Sequence, residues 1–517
     1  MRKLCAAVIL LVFSLPAFSQ VTFTIGNSGE PETLDPQLVY TAPEQRISLA
    51  LFENLASYDP RTGDPQPALA ESWSQSADGL TWTVTIREKA LWSDGVPITA
   101  QTVVDSWLRE LDPDTGAPFV FLIADLIRGA QEYNTGKGSV QDVALKALDA
   151  RTLQFTTVSP APYVPELLPQ TAFSIVPMHV VRAHPKDWTL PSNFVDNGPF
   201  VLKEWTPQAR VVLQKNQRYW DAKDVKTDSV VFLPMDDAET AYAMYLKGTV
   251  DWSTVFPPAD RLAEARKRAD YVLSPALGTY YYQFNTTKAP FSDVKVRKAF
   301  AMAVSRSDVL AKISQAGQVP ALSLTPPLGG KFPYTPPAGI PESADKARKL
   351  LADAGFPGGK GFPRIRLLYN TNDQHKVIAE ALRDRWQQVL GVTVDLVSQE
   401  WEAFLKTSRS DNMGGFDMVR AGWAADYRDP FAFLSALGDS GYSNASFDVL
   451  VKKANAMAEG PDRMKTFQSA EDVLVDQDVA ILPLYFYVSQ NMVDLAKWVG
   501  WYPNVLDIHP LKDIARK

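Results

Sequence analysis

The chain has 517 residues, of which 46% are hydrophobic and 21% are charged. This length predicts about three domains of roughly 150 residues, and the composition excludes a disordered chain, a coiled coil and a polytopic membrane protein. The net charge of −7 argues against a general nucleic-acid binder. The 13 Trp, 18 Tyr and 25 Phe could serve several cores or a wet recognition groove.

The N-terminus has the pattern of an export signal. Basic Arg2–Lys3 precedes the apolar run Leu4–Leu15, and Ala17–Ser19 then places small residues around a cleavage position. The run is too short to cross a bilayer as a helix but suits a signal peptide. We predict a signal peptide over residues 1–19, cleaved after Ser19, and a periplasmic protein. The alternative is a short buried N-terminal helix.

Cysteine usage agrees with this interpretation. The single cysteine, Cys5, lies inside the predicted signal peptide, so the mature chain is expected to have no disulfide and no cysteine metal site. Cys5 also precedes most of the apolar run, which argues against a lipoprotein. No later stretch reaches ~18 uncharged apolar residues, and we therefore expect a soluble mature protein.

The first part of the chain alternates short strands and helices. Period-two alternation predicts the strands, and helical spacing, with a capping residue at Thr99, predicts the helices. The acidic pair Asp236–Asp237 is interpreted as a solvated N-terminal turn ahead of the helix over 237–247, since acids suit that end, and a functional carboxylate pair is the alternative. The predicted strands are 21–25, 81–87, 152–156 and 209–214; the predicted helices are 44–55, 99–111, 237–247 and 295–303.

The second part predicts a parallel α/β unit. A loop-rich stretch over 320–341 precedes a helix over 344–354, which Gly355 ends. Strand 365–369, helix 375–390 and strand 392–397 then follow in β-α-β order, which predicts a parallel pair with a crossover helix.

Catalytic signatures are nearly absent. The four histidines form no H-E-x-x-H pair, and the phosphate-loop and G-x-G-x-x-G patterns are missing. The string Gly438–Gly441, Gly-Asp-Ser-Gly, resembles the nucleophile loop of chymotrypsin-like proteases but is also an ordinary turn, and no His and Asp complete a triad. We expect no enzyme, metal or cofactor, and a secreted peptidase remains a disfavoured alternative.

One long segment carries a family signature. Thr81–Ala100, TWTVTIREKALWSDGVPITA, followed by Val103–Trp107, resembles the signature of the peptide-type extracytoplasmic solute-binding proteins of ABC importers, solute-binding protein family 5. Further landmarks occur in the family's order, and the resemblance covers the chain from about Val21 to its end. These landmarks are Leu34–Pro36, Leu69–Trp73, Asn197–Phe200 and Val294–Phe300.

The resemblance implies an α/β, two-lobed periplasmic binding protein fold with an additional domain, the ligand being enclosed between the lobes. The implied divisions are domain I over 20–52, 177–278 and 488–517, the insert domain II over 53–176, and domain III over 279–487. Four segments most resemble the family members that bind oligopeptides or murein peptides: Gly278–Asn285, Leu367–Lys376, Gln399–Phe404 and Phe416–Tyr427.

The implied function is capture of short oligopeptides in the periplasm and their delivery to the membrane permease of an ABC importer. A receptor for murein tripeptide, used in cell-wall peptide recycling, is the alternative within the family. We expect a monomer that binds no nucleic acid.

A receptor that tolerates many side chains must bind the groups that all peptides share. The resemblance assigns Asp426 to the ligand α-amine, Arg420 to its carboxylate, and His375 to the carboxylate of ligands of another length. The alternatives are a turn aspartate for Asp426 and a surface histidine for His375.

The resemblance also implies that the ligand pairs as a middle strand. The remaining implied site residues fall into three groups. Backbone pairing is implied for Gly422, Trp423 and Ala424 and for the facing Tyr40, Thr41 and Ala42; pocket walls for Trp401 and Trp423; and a weaker role on the bordering strand for Tyr281 and Gln283.

The sequence departs from the family pattern at several positions. A disulfide's cysteine positions correspond to Gly278 and Ala424, a carboxylate-binding lysine aligns with Ser314, and a glutamate is replaced by Gln283. These changes bear on the preferred peptide length and on the tolerance of basic side chains.

Overall fold

The computed structural model describes residues 20–313, 317–331, 333–439 and 442–517. The predicted signal peptide with Cys5, and the Ser314 position, lie outside these ranges. Of the Gly438–Gly441 string, the last two residues lie outside them as well. No helix in the described ranges is long and apolar enough to cross a membrane.

Strands of the described chain are numbered in chain order. They are β1 Thr22–Asn27, β2 Ala56–Tyr58, β3 Pro65–Pro67, β4 Ala70–Gln75, β5 Thr81–Ile86, β6 Leu145–Ala147, β7 Thr152–Thr156, β8 Phe200–Thr206, β9 Arg210–Lys215, β10 Ser229–Pro234, β11 Trp252–Ser253, β12 Tyr271–Phe284, β13 Val319–Pro320, β14 Ile365–Asn370, β15 Val394–Gln399, β16 Met418–Ala424, β17 Ile481–Val493, β18 Trp498–Val499 and β19 Ala515–Arg516.

The helices are numbered in the same way. They are α1 Ala42–Leu51, α2 Ala100–Leu111, α3 Phe121–Ala124, α4 Ala130–Asn134, α5 Val164–Leu167, α6 Met178–Ala183, α7 Ala238–Leu246, α8 Leu262–Ala265, α9 Val294–Met302, α10 Arg306–Ile313, α11 Ala344–Asp353, α12 Asp373–Leu390, α13 Trp401–Ser408, α14 Phe431–Leu434, α15 Ala436–Asp439, α16 Ala445–Asn455 and α17 Pro461–Asp472.

A long mixed sheet runs through the molecule in the order β15-β14-β16-β12-β17-β11-β1-β10-β9-β8, with β13 added to β17. The two longest strands, β12 and β17, pair antiparallel at its centre and connect its two ends. A separate antiparallel sheet has the order β4-β5-β7-β6. The predicted crossover is confirmed, because β14 and β15 pair parallel and α12 joins them.

Aromatic residues fill separate cores on the two sides of the molecule. Trp107 packs edge-on against Phe155 and Phe173 beside the four-stranded sheet, at ring distances of 5.5 and 5.2 Å. Phe300 and Trp386 pack 5.1 Å apart in a second core beside β14. Burial of these large rings contributes much of the stabilisation of each core.

Helix boundaries follow local capping. The side chain of Thr99 accepts a hydrogen bond from Thr102 N, so the predicted cap is confirmed. The side chain of Asp237 accepts a hydrogen bond of 2.8 Å from Thr240 N and caps α7. Gly355 adopts a φ of +97° just after α11, as a helix-ending glycine does.

The predicted end of the first helix was wrong. Helix α1 ends at Leu51 instead of residue 55, and its last carbonyl accepts a hydrogen bond of 2.8 Å from Gly198 N. A Cβ at Gly198 would lie 2.6 Å from the carbonyl carbon of Leu51. A backbone segment distant in sequence therefore caps this helix, which a local helical pattern could not reveal.

Candidate functional site

One edge of β16 is open. This strand pairs with β12 along its whole length, but with β14 only at Met418 and Val419. Within the described chain, residues 420–424 therefore have a strand on one side only. Their unpaired edge can accept an extended peptide as an added strand.

The hydrogen-bonding phase shows which backbone groups face this edge. Ala425 N donates to Leu277 O, and Asn285 N donates to Asp417 O. Such bonds recur at alternate residues of an antiparallel pair, so the odd-numbered residues of β16 bond to β12. The N–H and C=O groups of Arg420, Gly422 and Ala424 consequently point to the open edge.

An acidic group lies just beyond one end of this edge. Asp426 is half-buried, and burial raises the pKa of its carboxyl group. Among the described residues no cationic side chain forms an ion pair with this carboxylate. A partly desolvated carboxylate without a cation suits an incoming ammonium group.

The segment carrying Asp426 is fixed by contacts with residues from the first third of the chain. Gln170 Nε2 donates to the backbone oxygen of Asp426 at 2.6 Å. Arg428 forms ion pairs with Asp64 and, at 3.0 Å, with Glu166. These contacts hold the backbone of the segment, so the carboxylate is positioned by residues more than 250 positions away in sequence.

A basic group lies along the same edge. The guanidinium of Arg420 is centred 4.7 Å from the ring of Tyr280, and Nη1 lies 3.4 Å from Asn370 Oδ1. Its buried Nε has no hydrogen-bond partner, and no carboxylate of the described chain pairs with this guanidinium. The planar fork of arginine suits a ligand carboxylate.

His375 lies beside this arginine. Its Nδ1 is 3.2 Å from the hydroxyl of Tyr280, near the start of α12. Burial, together with the charge of Arg420, lowers the pKa of His375 to about 4. The imidazole is therefore neutral near pH 7, and it can gain a proton when a carboxylate arrives.

Tyr487, on β17, is a neighbour of the site that the sequence analysis missed. A Cβ at Gly278 would clash with its ring, and one at Gly422 would clash with its hydroxyl and lie 3.2 Å from Arg420 Nη2. These two glycines leave the space that the Tyr487 ring and the guanidinium occupy. The alternating Tyr485 and Tyr487 within an apolar run were the available signal for this strand.

The two positions aligned with a family disulfide face each other. Gly278 and Ala424 are directly opposite in the β12–β16 register. Neither is a cysteine, and the ring of Tyr487 takes the space next to Gly278.

The aromatic candidates differ in their surroundings. Trp423 is half-buried and donates its Nε1 hydrogen to Ala432 O at 2.7 Å, whereas Trp401 is 53% exposed and stacks on Phe404. Tyr281 and Gln283 are buried within β12. The structure thus places these last two side chains in the protein interior.

The segment Tyr40–Ala42, for which backbone pairing with the ligand is expected, leads into a helix in this structure, and the pairing stays a prediction. Thr41 is the N-cap of α1 and Ala42 is its first residue. The N–H groups of Tyr40 and Thr41 both donate to Glu44 Oε2 at 2.9 Å, so they are not available to a ligand strand in this conformation. Tyr40 keeps a side chain that is 72% exposed.

Two cavities meet at Asp426. One, of about 410 Å³, includes Trp423 in its lining, and the other, of about 280 Å³, includes Ala424. In the part of the chain that the structure describes, no group of three or more His, Cys, Asp or Glu side chains could hold a metal ion.

Comparison with known proteins identifies the family. Residues 64–445 match the family described as bacterial extracellular solute-binding proteins, family 5. The chain is also 36% identical, over 494 residues, to the periplasmic oligopeptide-binding protein OppA of Escherichia coli, covering 93% of this chain and 89% of that protein. The chain belongs to this family of solute-binding proteins. Its fold is accordingly the two-lobed one.

Solved structures agree and indicate the conformation. The unliganded open form of the periplasmic murein tripeptide-binding protein MppA superposes with a TM-score of 0.86 at 31% identity, covering 96% of this chain and 97% of that one. Another structure, of Escherichia coli MppA, gives 0.73 at the same identity, covering 96% and 99%. Of these two MppA structures, the unliganded open form therefore matches the described conformation better.

Proposed function

We propose that this protein captures short peptides in the periplasm by their free ends and backbone, and delivers them to the permease of an ABC importer. The observation that carries the proposal is the open edge of β16, with Asp426 at one end and Arg420 along it. An extended zwitterionic peptide presents an ammonium group, alternating N–H and C=O groups, and a carboxylate. Each has a matching group on this edge.

The spacing supports a short ligand. The guanidinium of Arg420 lies beside Gly422, four residues before Asp426, and a fully extended segment of that length spans at most ~13 Å. Hydrogen bonds of about 3 Å at each end leave roughly 7 Å. That length corresponds to an extended peptide of about two to three residues.

Calorimetric titration with tri-alanine tests the role of the ends. We expect the free peptide to bind at least about 100-fold more tightly than its N-acetylated form, because acetylation leaves the half-buried Asp426 without its cation. The variant Asp426→Asn should lose a similar factor toward the free peptide and little toward the acetylated one. The exposed Asp260→Asn is the matched control. Equal binding of free and acetylated peptide contradicts the proposal.

The natural ligand can be identified from the purified protein. Mass spectrometry after acid denaturation is expected to release a mixture of short peptides with free ends. A single species containing diaminopimelate would instead indicate a murein-peptide receptor, and a non-peptide ligand would contradict both functions. Recovery of added peptide intact after incubation separates a receptor from a peptidase.

A further inference from the structure

The cavity of about 410 Å³ beside Asp426 has a distinct chemical character. Residues of the insert form one wall, and residues that follow β16 form the other. Its lining includes two carboxylates, Asp125 and Asp426, and neither Lys nor Arg. The large apolar side chains of the lining, apart from its two tyrosines, are Phe121, Leu122, Leu126, Val158, Leu167, Trp423 and Phe431.

Two of these apolar side chains are open to solvent in this conformation. Phe121 is 45% exposed and Val158 is 58% exposed. Phe121 lies 6.2 Å from the ring of Phe119, which stacks 5.8 Å from the exposed ring of Tyr40. This continuous apolar strip on the rim of a cavity is the kind of surface that a ligand covers on binding.

The position of Asp426 identifies which ligand group reaches this cavity. If Asp426 binds the ammonium group, the side chain nearest to it belongs to the first residue of the peptide. Side chains alternate along β16, so Trp423 projects from the face opposite to Arg420 and Gly422. Trp423 lines the cavity, and the cavity therefore lies on that opposite face. The smaller cavity contains Ala424, whose backbone faces the open edge, and it therefore lies on the path of the ligand backbone.

We propose that this cavity takes the side chain of the peptide's first residue, favours a large apolar side chain there, and disfavours an acidic one. The inference rests on the proposed function. Apolar walls gain from burying a large side chain, whereas a carboxylate would be brought next to Asp125 and Asp426 with no cation in the lining.

Calorimetric titration with the tripeptides Phe-Ala-Ala, Ala-Ala-Ala and Asp-Ala-Ala tests this specificity. We expect the Phe-first peptide to bind at least about tenfold more tightly than tri-alanine, and the Asp-first peptide at least about tenfold more weakly. The double variant Phe121→Ser/Val158→Ser should reduce the Phe-to-Ala affinity ratio to about threefold or less. The control Leu148→Ser/Val449→Ser changes exposed apolar residues outside this cavity and should keep the wild-type ratio.

Each outcome separates the specificity from the function on which it rests. Equal binding of the three peptides overturns the specificity and leaves peptide capture intact. The specificity is also overturned if Ala-Phe-Ala gains more affinity over tri-alanine than Phe-Ala-Ala does. It is overturned as well if the double variant Phe121→Ser/Val158→Ser keeps the wild-type ratio of Phe-Ala-Ala affinity to tri-alanine affinity. Failure of every tripeptide to bind, with the protein folded, overturns the proposed function itself.

Discussion

At the residue scale, the open edge of β16 has titratable side chains near it that have no oppositely charged partner among the described residues. Asp426 has no cation, Arg420 has no carboxylate, and His375 is held neutral by burial and by Arg420. Buried charges normally have a partner, because desolvation is costly. Their arrangement around one open strand edge is explained if the ligand supplies the missing charges.

His375 is expected to make peptide binding dependent on pH. Its pKa is about 4 in the empty site, and a bound carboxylate should return it toward the ordinary value near 6.5. Protonation then favours the complex, so peptides whose carboxylate reaches His375 should bind on the order of tenfold more tightly at pH 5 than at pH 7.

Protonation of Asp426 opposes this trend, because burial raises its pKa. The comparison with His375→Gln isolates the histidine contribution. Titrations at the two pH values should show a smaller gain at pH 5 for the variant, and an identical pH dependence in both proteins would contradict the role of His375.

Gly422 is expected to be required for its lack of a Cβ. In Gly422→Ala the new methyl group would displace the Tyr487 hydroxyl and crowd Arg420 Nη2. We expect about tenfold weaker peptide binding, since a small misplacement of a charged group loses much of its hydrogen bond. Gly329→Ala is the matched control, because a Cβ there meets nothing within 4 Å. Equal titration results for the two variants would show that the space at Gly422 is unimportant.

At the element scale, sequence patterns predicted the short half-buried strands and the capped helices. Strand β5 has buried residues at alternate positions, which matches its period-two pattern. Strand β17 is buried over most of its length and has no such alternation, so its pattern was not recognised. The helix start at Thr41 had a readable signal, because Thr-x-x-Glu over residues 41–44 is a capping box.

The family landmarks have structural roles in this fold. Asp35, within one landmark, forms an ion pair of 2.6 Å with Arg109 of α2. Asn197, within another, exchanges two hydrogen bonds with the backbone of Glu53. These segments join distant parts of the chain, which explains how they could identify the family without touching the open edge of β16.

The ion pairs that join the segment after β16 to Asp64 and Glu166 should contribute measurably to stability. The side chain of Arg428 is 3% exposed and pairs with Asp64 and Glu166. Removing it in Arg428→Ala leaves two carboxylates together, and we expect a loss of about 3 kcal/mol in the free energy of unfolding.

Urea denaturation measures this loss. The exposed pair Arg210–Glu204 provides the control, and Arg210→Ala should change the free energy of unfolding very little, because solvent screens an exposed ion pair. Similar losses in the two variants would contradict a special role for Arg428.

At the scale of the whole molecule, buried acids set the pH dependence of stability. Burial raises the pKa of Glu471 to about 7 and that of Asp196 to about 8. The folded protein therefore holds these protons more tightly than the unfolded chain does. The resulting stability is fully present below the pKa of the unfolded carboxyls, near 4, and is lost as the pH rises through the folded values.

We therefore expect the free energy of unfolding to fall between about pH 5 and pH 9. Glu471→Gln should reduce this fall by about 2–3 kcal/mol, since its side chain no longer titrates. Urea denaturation at the two pH values measures the difference, with the exposed Glu204→Gln as control. An unchanged fall in Glu471→Gln would show that Glu471 is not protonated in the folded protein.

Whether a site residue could be predicted from the sequence depends on where it lies in the chain. The proposed roles of Asp426, Arg420 and His375 came from motifs that are contiguous in sequence. The cavity beside Asp426 joins Phe121 and Val158 to Trp423, and such distant residues are brought together only by the fold. That Arg420 and Asp426 have no oppositely charged partner among the described residues is likewise a property of the packed molecule.

The central claim is that a peptide is bound along β16 with its amino end on Asp426. A crystal structure of the protein with tri-alanine tests it most directly. The account predicts the ammonium nitrogen at about 2.7–3.2 Å from the Asp426 carboxylate, the ligand carboxylate on Arg420, and backbone hydrogen bonds to Gly422. A peptide bound in the opposite direction, or away from this edge, would contradict it.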